Sequence, residues 1–206
     1  MALRVFQHRH NQSAYGPYQA TVVWAAGCSI QCAGCFNPQL FEAKSGRLRS
    51  PLWLLNLAWK GRQLGDTVLA LVGGEPLDQA KALLPALLLV RLLLPGMKVT
   101  IYSGYRYEHL IRSFLKRLAL RCADVLVDGP FIQRLAADDL GYRGSANQRV
   151  IDLKASRTAG RAIVLDWDRL IMIGNKTITA PPALAASLEL AGAAEACGEA
   201  TKEEST

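Results

Sequence analysis

Short apolar runs alternate with longer amphipathic stretches along most of this chain. Tyr18 to Ala26 carries Val22, Val23 and Trp24, Thr67 to Val72 reads TVLALV, and Lys98 to Tyr102 and Asp124 to Val127 follow the same pattern. Runs this short and this rich in β-branched residues predict buried strands. Between them lie helical patterns. Ser50-Pro51 ahead of Leu52, Trp53, Leu55 and Leu57 is a helix start, with a serine cap and proline at the first helical position. Asp78 to Leu94 is helical by propensity, with a kink or boundary expected at Pro85. Tyr107 to Leu120 places Leu110, Phe114, Leu115 and Leu118 on one face. Residues 3–18 read as a short strand plus loop and Gly141 to Arg149 as a loop. Val150 to Leu153, Ala162 to Leu165 and Leu170 to Ile173 read as further strands.

Four strand–helix alternations predict an α/β fold with a mostly parallel sheet and right-handed crossovers. Each of the four buried strands runs into a distinctive turn: the cysteine segment Cys28 to Cys35, Gly73-Gly74-Glu75-Pro76, Ser103-Gly104-Tyr105, and Asp128-Gly129-Pro130-Phe131. In such sheets these turns converge on one rim, where ligands bind. Residues 1–179 are expected to form one domain. Residues 180–206, rich in Ala and Glu, are expected to be a weak helix or a disordered tail.

Composition narrows the classes. Half of the 206 residues are hydrophobic and a fifth are charged, an ordinary globular balance. The apolar stretch Leu83 to Leu94 contains Pro85 and Arg91 and is far shorter than the ~20 residues a membrane span needs. No signal-peptide pattern opens the chain, and free cysteines fit a reducing cytoplasm. The net charge is +7; five glutamates against one lysine after residue 180 give −4, which leaves +11 on the first 180 residues. The cations are scattered without interleaved aromatics, which speaks for an acidic protein or an anionic small ligand and against nucleic acid.

Three cysteines, Cys28, Cys32 and Cys35, fall within eight residues, with Gly27 and Gly34 giving the backbone room to curl. Three clustered thiolates can each take one iron of a cubane, leaving the fourth iron open to a reactant. Zinc and buried structural thiols stay as alternatives. Only Cys32 and Cys35 form a C-x-x-C pair, and His8, His10 and His109 are not spaced toward it. Cys122 and Cys197 read as a buried thiol and a tail residue. Gly73 and Gly74 could bring bare backbone close to a ligand, Glu75 could receive an ammonium group, and Ser103 could bond a ribose or carboxylate or simply complete its turn.

The C-x3-C-x2-C segment followed by GGEP resembles the radical S-adenosylmethionine (SAM) superfamily. CSIQCAGCFNP, GGEPL, YSGY, DVLVDGPF and GSANQR, taken in order over about residues 15–155, resemble the activating proteins of anaerobic ribonucleotide reductase. Gly34 stands where many superfamily members have an aromatic, and Tyr15 to Tyr18 replaces a glycine-ended turn usual in this branch. The resemblance implies a partial (βα) barrel and a 4Fe-4S cluster on Cys28, Cys32 and Cys35. It also implies SAM chelating the open iron, with Gly73 to Pro76 at its amino group and the backbone around Gly34 and Phe36 at its adenine. The implied activity is reductive cleavage of SAM to a 5′-deoxyadenosyl radical that installs a glycyl radical on the anaerobic reductase. A low-potential donor such as flavodoxin or ferredoxin would supply the electron, and Arg143 and Arg149 are candidates for docking the reductase. A radical SAM enzyme with another peptide or small-molecule substrate, and a non-catalytic metal-stabilised binding module, are the competing readings.

Overall fold

The computed structural model describes residues 2–15, 18–137 and 140–165. The expected strands at Leu170 to Ile173, the 179/180 boundary and the tail lie outside them. Residues up to Leu165 belong to one compact unit. No helix among the described residues is long and apolar enough to cross a membrane.

Seven strands form one open sheet in the order β3-β1-β2-β4-β5-β6-β7. The middle four, β2 (Ala20–Ala25), β4 (Val68–Gly73), β5 (Lys98–Ser103) and β6 (Val125–Asp128), run parallel. They are the four apolar runs singled out in the sequence. The edges are antiparallel: β1 (Leu3–Gln12) pairs β2 and β3 (Arg47–Arg49) on one side, and β7 (Arg149–Asp152) pairs β6 on the other. The sheet is therefore mixed, with a parallel centre.

Both faces of the central strands are apolar, which is why they show no hydrophobic–polar alternation. Val23, Leu69, Leu71, Val99, Ile101 and Leu126 pack in the main core with the helices. The alternate residues Val22, Val68, Ala70 and Val72 form a smaller cluster on which Tyr15, Tyr18, Trp24 and Tyr102 pack. Helix α1 (Pro51–Gln63) starts as expected, Ser50 Oγ accepting from the Trp53 amide at 3.2 Å. Helix α2 (Ala80–Leu93) runs straight through Pro85 in secondary structure. Pro85 forfeits one amide bond, and the burial of Leu83, Ala86, Leu87 and Val90 on the core side holds the helix together.

Two further expectations need correction. The single helix expected over Tyr107 to Leu120 is two, α3 (Tyr107–Leu110) and α4 (Phe114–Arg121), because Ser113 turns extended between them. The Ala162 to Leu165 strand is a single bridge, Ile151 to Val164, and before it stands a helix not foreseen, α5 (Leu153–Ala159). Its signals were an Asp152 cap accepting from Ala155 N at 2.8 Å and Gly160 in the left-handed conformation at φ 67°.

At the rim opposite the motif turns, buried Asp66 pins the sheet. It accepts from Thr21 Oγ1 at 2.7 Å and from the Asn11 amide at 3.0 Å, with His10 Nδ1 at 3.3 Å. Thr21→Val keeps the shape and removes one donor from a buried carboxylate. It should cost about 1–3 kcal/mol in urea unfolding and leave metal content unchanged.

Candidate functional site

The loop after β2 is anchored at its base largely by backbone, with Gln79 Nε2 donating to Ala26 O at 3.1 Å and Asp78 accepting from the Ser29 amide. Gly27 N donates to Leu40 O at 2.8 Å and Cys28 N to Phe41 O at 3.0 Å, while Glu75 N donates to Gly27 O and Gly74 N to Ala25 O, both at 2.8 Å. Gly27 and Gly34 adopt φ 94° and 71°, the left-handed freedom expected of them. Cys35 N closes a turn onto Cys32 O at 3.2 Å. The result is that Cys28, Cys32 and Cys35 open onto a single cavity of about 120 Å³, together with Gly73, Gly74, Glu75 and Ser103. Two of the other three motif turns thus meet the cysteines, and Gly129 and Phe131 from the last complete the wall.

The glycine pair serves the loop as much as the cavity. A Cβ on Gly73 would stand 2.7 Å from the backbone of Ala25, and one on Gly74 would collide with the Gly27 carbonyl. Their bareness lets the cysteine loop pack against β4.

Glu75 is fully buried. Its carboxylate accepts from Leu77 N at 3.0 Å, from Ser103 Oγ at 3.0 Å to each oxygen, and from Gly104 N at 2.9 Å. The Ser103 hydroxyl proton is therefore committed to Glu75, and its oxygen also accepts from Tyr105 N at 3.2 Å. Burial raises the Glu75 pKa to about 7 against the pull of these donors. Pro76 is buried beside it.

Gly34 and Phe36 do not line the cavity. A Cβ on Gly34 would press into the Gln133 side chain. Phe36 is 67% exposed, its ring packed against that of Phe131 at 4.5 Å. Gln148, which by sequence could bind an anion or solvate a loop, lines the cavity, as do Ile30, Gly104 and Phe131, which were not named as site residues. Their motifs were visible, but nothing in a one-dimensional pattern says which turn residue faces inward.

Arg149 is not free for docking. It grips buried Asp128 through Nε at 2.8 Å and through Nη2, and holds Glu108 at 2.9 and 3.1 Å. Asp128 keeps the guanidinium firmly protonated, and Asp128 also accepts from Tyr107 N at 2.7 Å. Arg143 Nε donates to Leu140 O at 2.9 Å. Gln148 Nε2 bonds Gly129 O at 2.9 Å and Asn147 Nδ2 bonds Pro130 O at 2.8 Å, so the GSANQR segment clamps the Asp128 to Phe131 turn. Asn147 Oδ1 is buried with no hydrogen-bond partner.

The donor set fits an iron–sulfur cluster. Three soft thiols share one cavity, and the Asn37 amide already donates to Cys35 Sγ at 3.4 Å as an outer partner. Among the described residues no three His, Cys, Asp or Glu side chains converge on one ion position. Burial raises the Cys28 thiol while the Gln31 and Ile30 backbone pulls it down, and coordination would deprotonate it.

A family model for a 4Fe-4S single cluster domain matches residues 14–151. Three curated relatives are named anaerobic ribonucleoside-triphosphate reductase-activating protein. The one from Vibrio cholerae is 34% identical over 137 residues, 65% of this chain and 87% of the relative. The one from Haemophilus influenzae is 32% identical over 130 residues, 61% and 83%. The one from bacteriophage T4 is 29% identical over 137 residues, 66% and 85%.

Because the folded Glu75 pKa lies above its ordinary value, the group binds its proton more tightly folded than unfolded. Its stabilisation is complete below about pH 4.5 and is lost as pH rises to about 7. Glu75→Gln should remove that slope from the pH dependence of metal-free protein unfolding, measured in urea between pH 5 and 8, and should lower stability most at the acid end.

Proposed function

The chain belongs to the family of anaerobic ribonucleoside-triphosphate reductase-activating proteins with a 4Fe-4S single cluster domain, and from that premise we propose that it is a radical SAM activase for an anaerobic ribonucleotide reductase. The observation that carries the reading is the single cavity onto which Cys28, Cys32, Cys35 and the 73–75 turn all open. Cys28, Cys32 and Cys35 would hold the cluster, and the turn from Gly73 to Pro76 the methionine end of SAM. When bound, the cluster supplies one electron to the SAM sulfonium, and the net change is SAM to methionine and 5′-deoxyadenosine as the target glycine loses a hydrogen atom.

The chain's own residues position and shield. Glu75 locks the ends of β4 and β5 together, so the SAM-facing turn keeps a fixed distance from the cysteine loop. Ile30, Tyr102 and Phe131 give the cavity apolar walls that limit water. Phe36, exposed and packed on Phe131, would cover the adenine. Target glycine and SAM must meet in this cavity, so the reductase docks over the same rim.

Anaerobic reconstitution should give about four irons and four sulfides per chain. Cys28→Ala, Cys32→Ala or Cys35→Ala should each abolish them, and Cys122→Ala, a buried core thiol, should not. Reduced wild-type protein with SAM should release 5′-deoxyadenosine and methionine, and should raise a glycyl-radical EPR signal on its own operon's reductase. Stoichiometric zinc without iron would defeat the cluster. SAM turnover without a glycyl radical would point to another substrate, and a reducible cluster without SAM turnover to a binding module. Gly74→Val, which drives a side chain into the Gly27 carbonyl, should lower iron content as well as SAM turnover.

A further inference from the structure

Residues 112–121 carry Arg112, Lys116, Arg117 and Arg121 and no acid. Helix α4 buries Ala119 and Leu120 and turns Arg117 and Arg121 outward, with Arg112 exposed just ahead of it. Phe114 is 63% exposed among these cations, and the Arg117 guanidinium lies 6.0 Å from its ring centroid. A large exposed aromatic beside a guanidinium, on a segment that carries four cations and no acid, marks a contact surface for an acidic protein.

On the side of α4 turned away from Phe114, Lys116 reaches toward the cysteine loop. Lys116 Nζ lies 3.8 Å from the Tyr105 ring centroid and 3.6 Å from Asp78 Oδ1. The Tyr105 hydroxyl donates to Asp78 at 3.0 Å and lies 2.7 Å from Ser29 Oγ. Asp78 Oδ2 accepts at 3.0 Å from the amide of Ser29, the residue after Cys28. Two side chains therefore separate α4 from the cluster loop. Yet no residue of α4 lines the cavity where target and SAM must meet. A partner here can approach the cluster without entering the cavity, which an electron carrier needs and a target glycine does not. Small, transient electron-transfer encounters also use interfaces at the low end of the size range, which a patch of this kind can supply.

We propose that the exposed face of α4, centred on Phe114 and Arg117 with Arg112 and Arg121, is the docking surface for a small acidic one-electron carrier protein, delivering its electron through the Ser29–Tyr105 edge of the loop. The proposal rests on the cluster reading above. The carrier loses one electron and the cluster gains it; no bond or proton changes hands.

The test uses anaerobically reconstituted protein and reduced flavodoxin as the acidic probe, with bleaching of the cluster absorbance followed by stopped flow. The wild-type rate should fall steeply with added salt, and Arg112→Glu with Arg117→Glu, or Phe114→Ser, should lower it roughly tenfold or more at low salt. Iron content and the rate of reduction by dithionite should not change. An unchanged flavodoxin rate in these variants overturns the proposal. So does an equal fall in glycyl-radical yield when dithionite replaces flavodoxin, which would assign the surface to the reductase. Following the cluster alone keeps this result independent of SAM turnover. A wild-type protein with no visible absorbance overturns the cluster reading and this one together, and is recognised as such.

Discussion

Parallel strands have no hairpins to tie their ends together, and here carboxylates do that work. Asp78 holds the Ser29 amide after β2, Glu75 joins the end of β4 to Ser103 and Gly104 at the end of β5, and Asp128 joins β6 to Tyr107 N and to Arg149 on β7. A hydrogen bond to a buried charged group contributes about 1.5–3 kcal/mol, and removing Arg149 would strand the buried charge of Asp128. The rim therefore behaves as one unit. Disturbing any link shifts the ends of neighbouring strands, and the cavity is made of those ends.

That belt explains why the motif acids are poor candidates for direct chemistry. Glu75 and Asp128 look like reactive groups in a sequence because they sit at strand ends in glycine-rich turns. In the fold their lone pairs are filled by amides, a hydroxyl and a guanidinium. Their contribution is to hold the 73–76 turn and the Asp128 to Phe131 turn still while softer parts are completed. The cysteine loop is the softer part. Between Ser29 and Asn37 its recorded backbone bond is the short turn from Cys35 to Cys32, so a bound cluster would finish ordering it, as metals do in small metal-organised segments.

The central strands, the α1 start and the convergence of the turns were legible because burial on both faces and capping chemistry leave local marks. The β7 edge was read as the strand Val150 to Leu153, but the extent of the β1 and β3 edge was not legible. β1 and β3 carry mixed polar sequence, and only pairing with β2 makes β1 a ten-residue strand. Pro85 suggested a break that tertiary burial of its helix overrode. Helix α5 was hidden in a stretch with strong strand formers on both sides, although its cap and terminal glycine were in plain view. Among the candidate site residues, the cysteines and the Gly73 to Glu75 turn, singled out by their spacing, share one cavity. Arg149 was misread because its partners, Asp128 and Glu108, lie 21 and 41 residues away.

The same belt sorts the protein's charge. Asp78 is matched by Lys116, and Asp128 and Glu108 by Arg149, so these three acids are neutralised where they stand. The cations of α4 beyond Lys116 face outward from the sheet. A positive surface that is not spent on the rim's own acids can act at Debye range, about 10 Å at 0.1 M salt, whereas the cavity recognises its occupants by contact. Long-range attraction and short-range fit are thus placed on two sides of one cysteine loop. If electrons enter on the Ser29 side, as proposed, and bond chemistry takes place on the Gly73 side, a carrier and a target chain would not compete for the same ground.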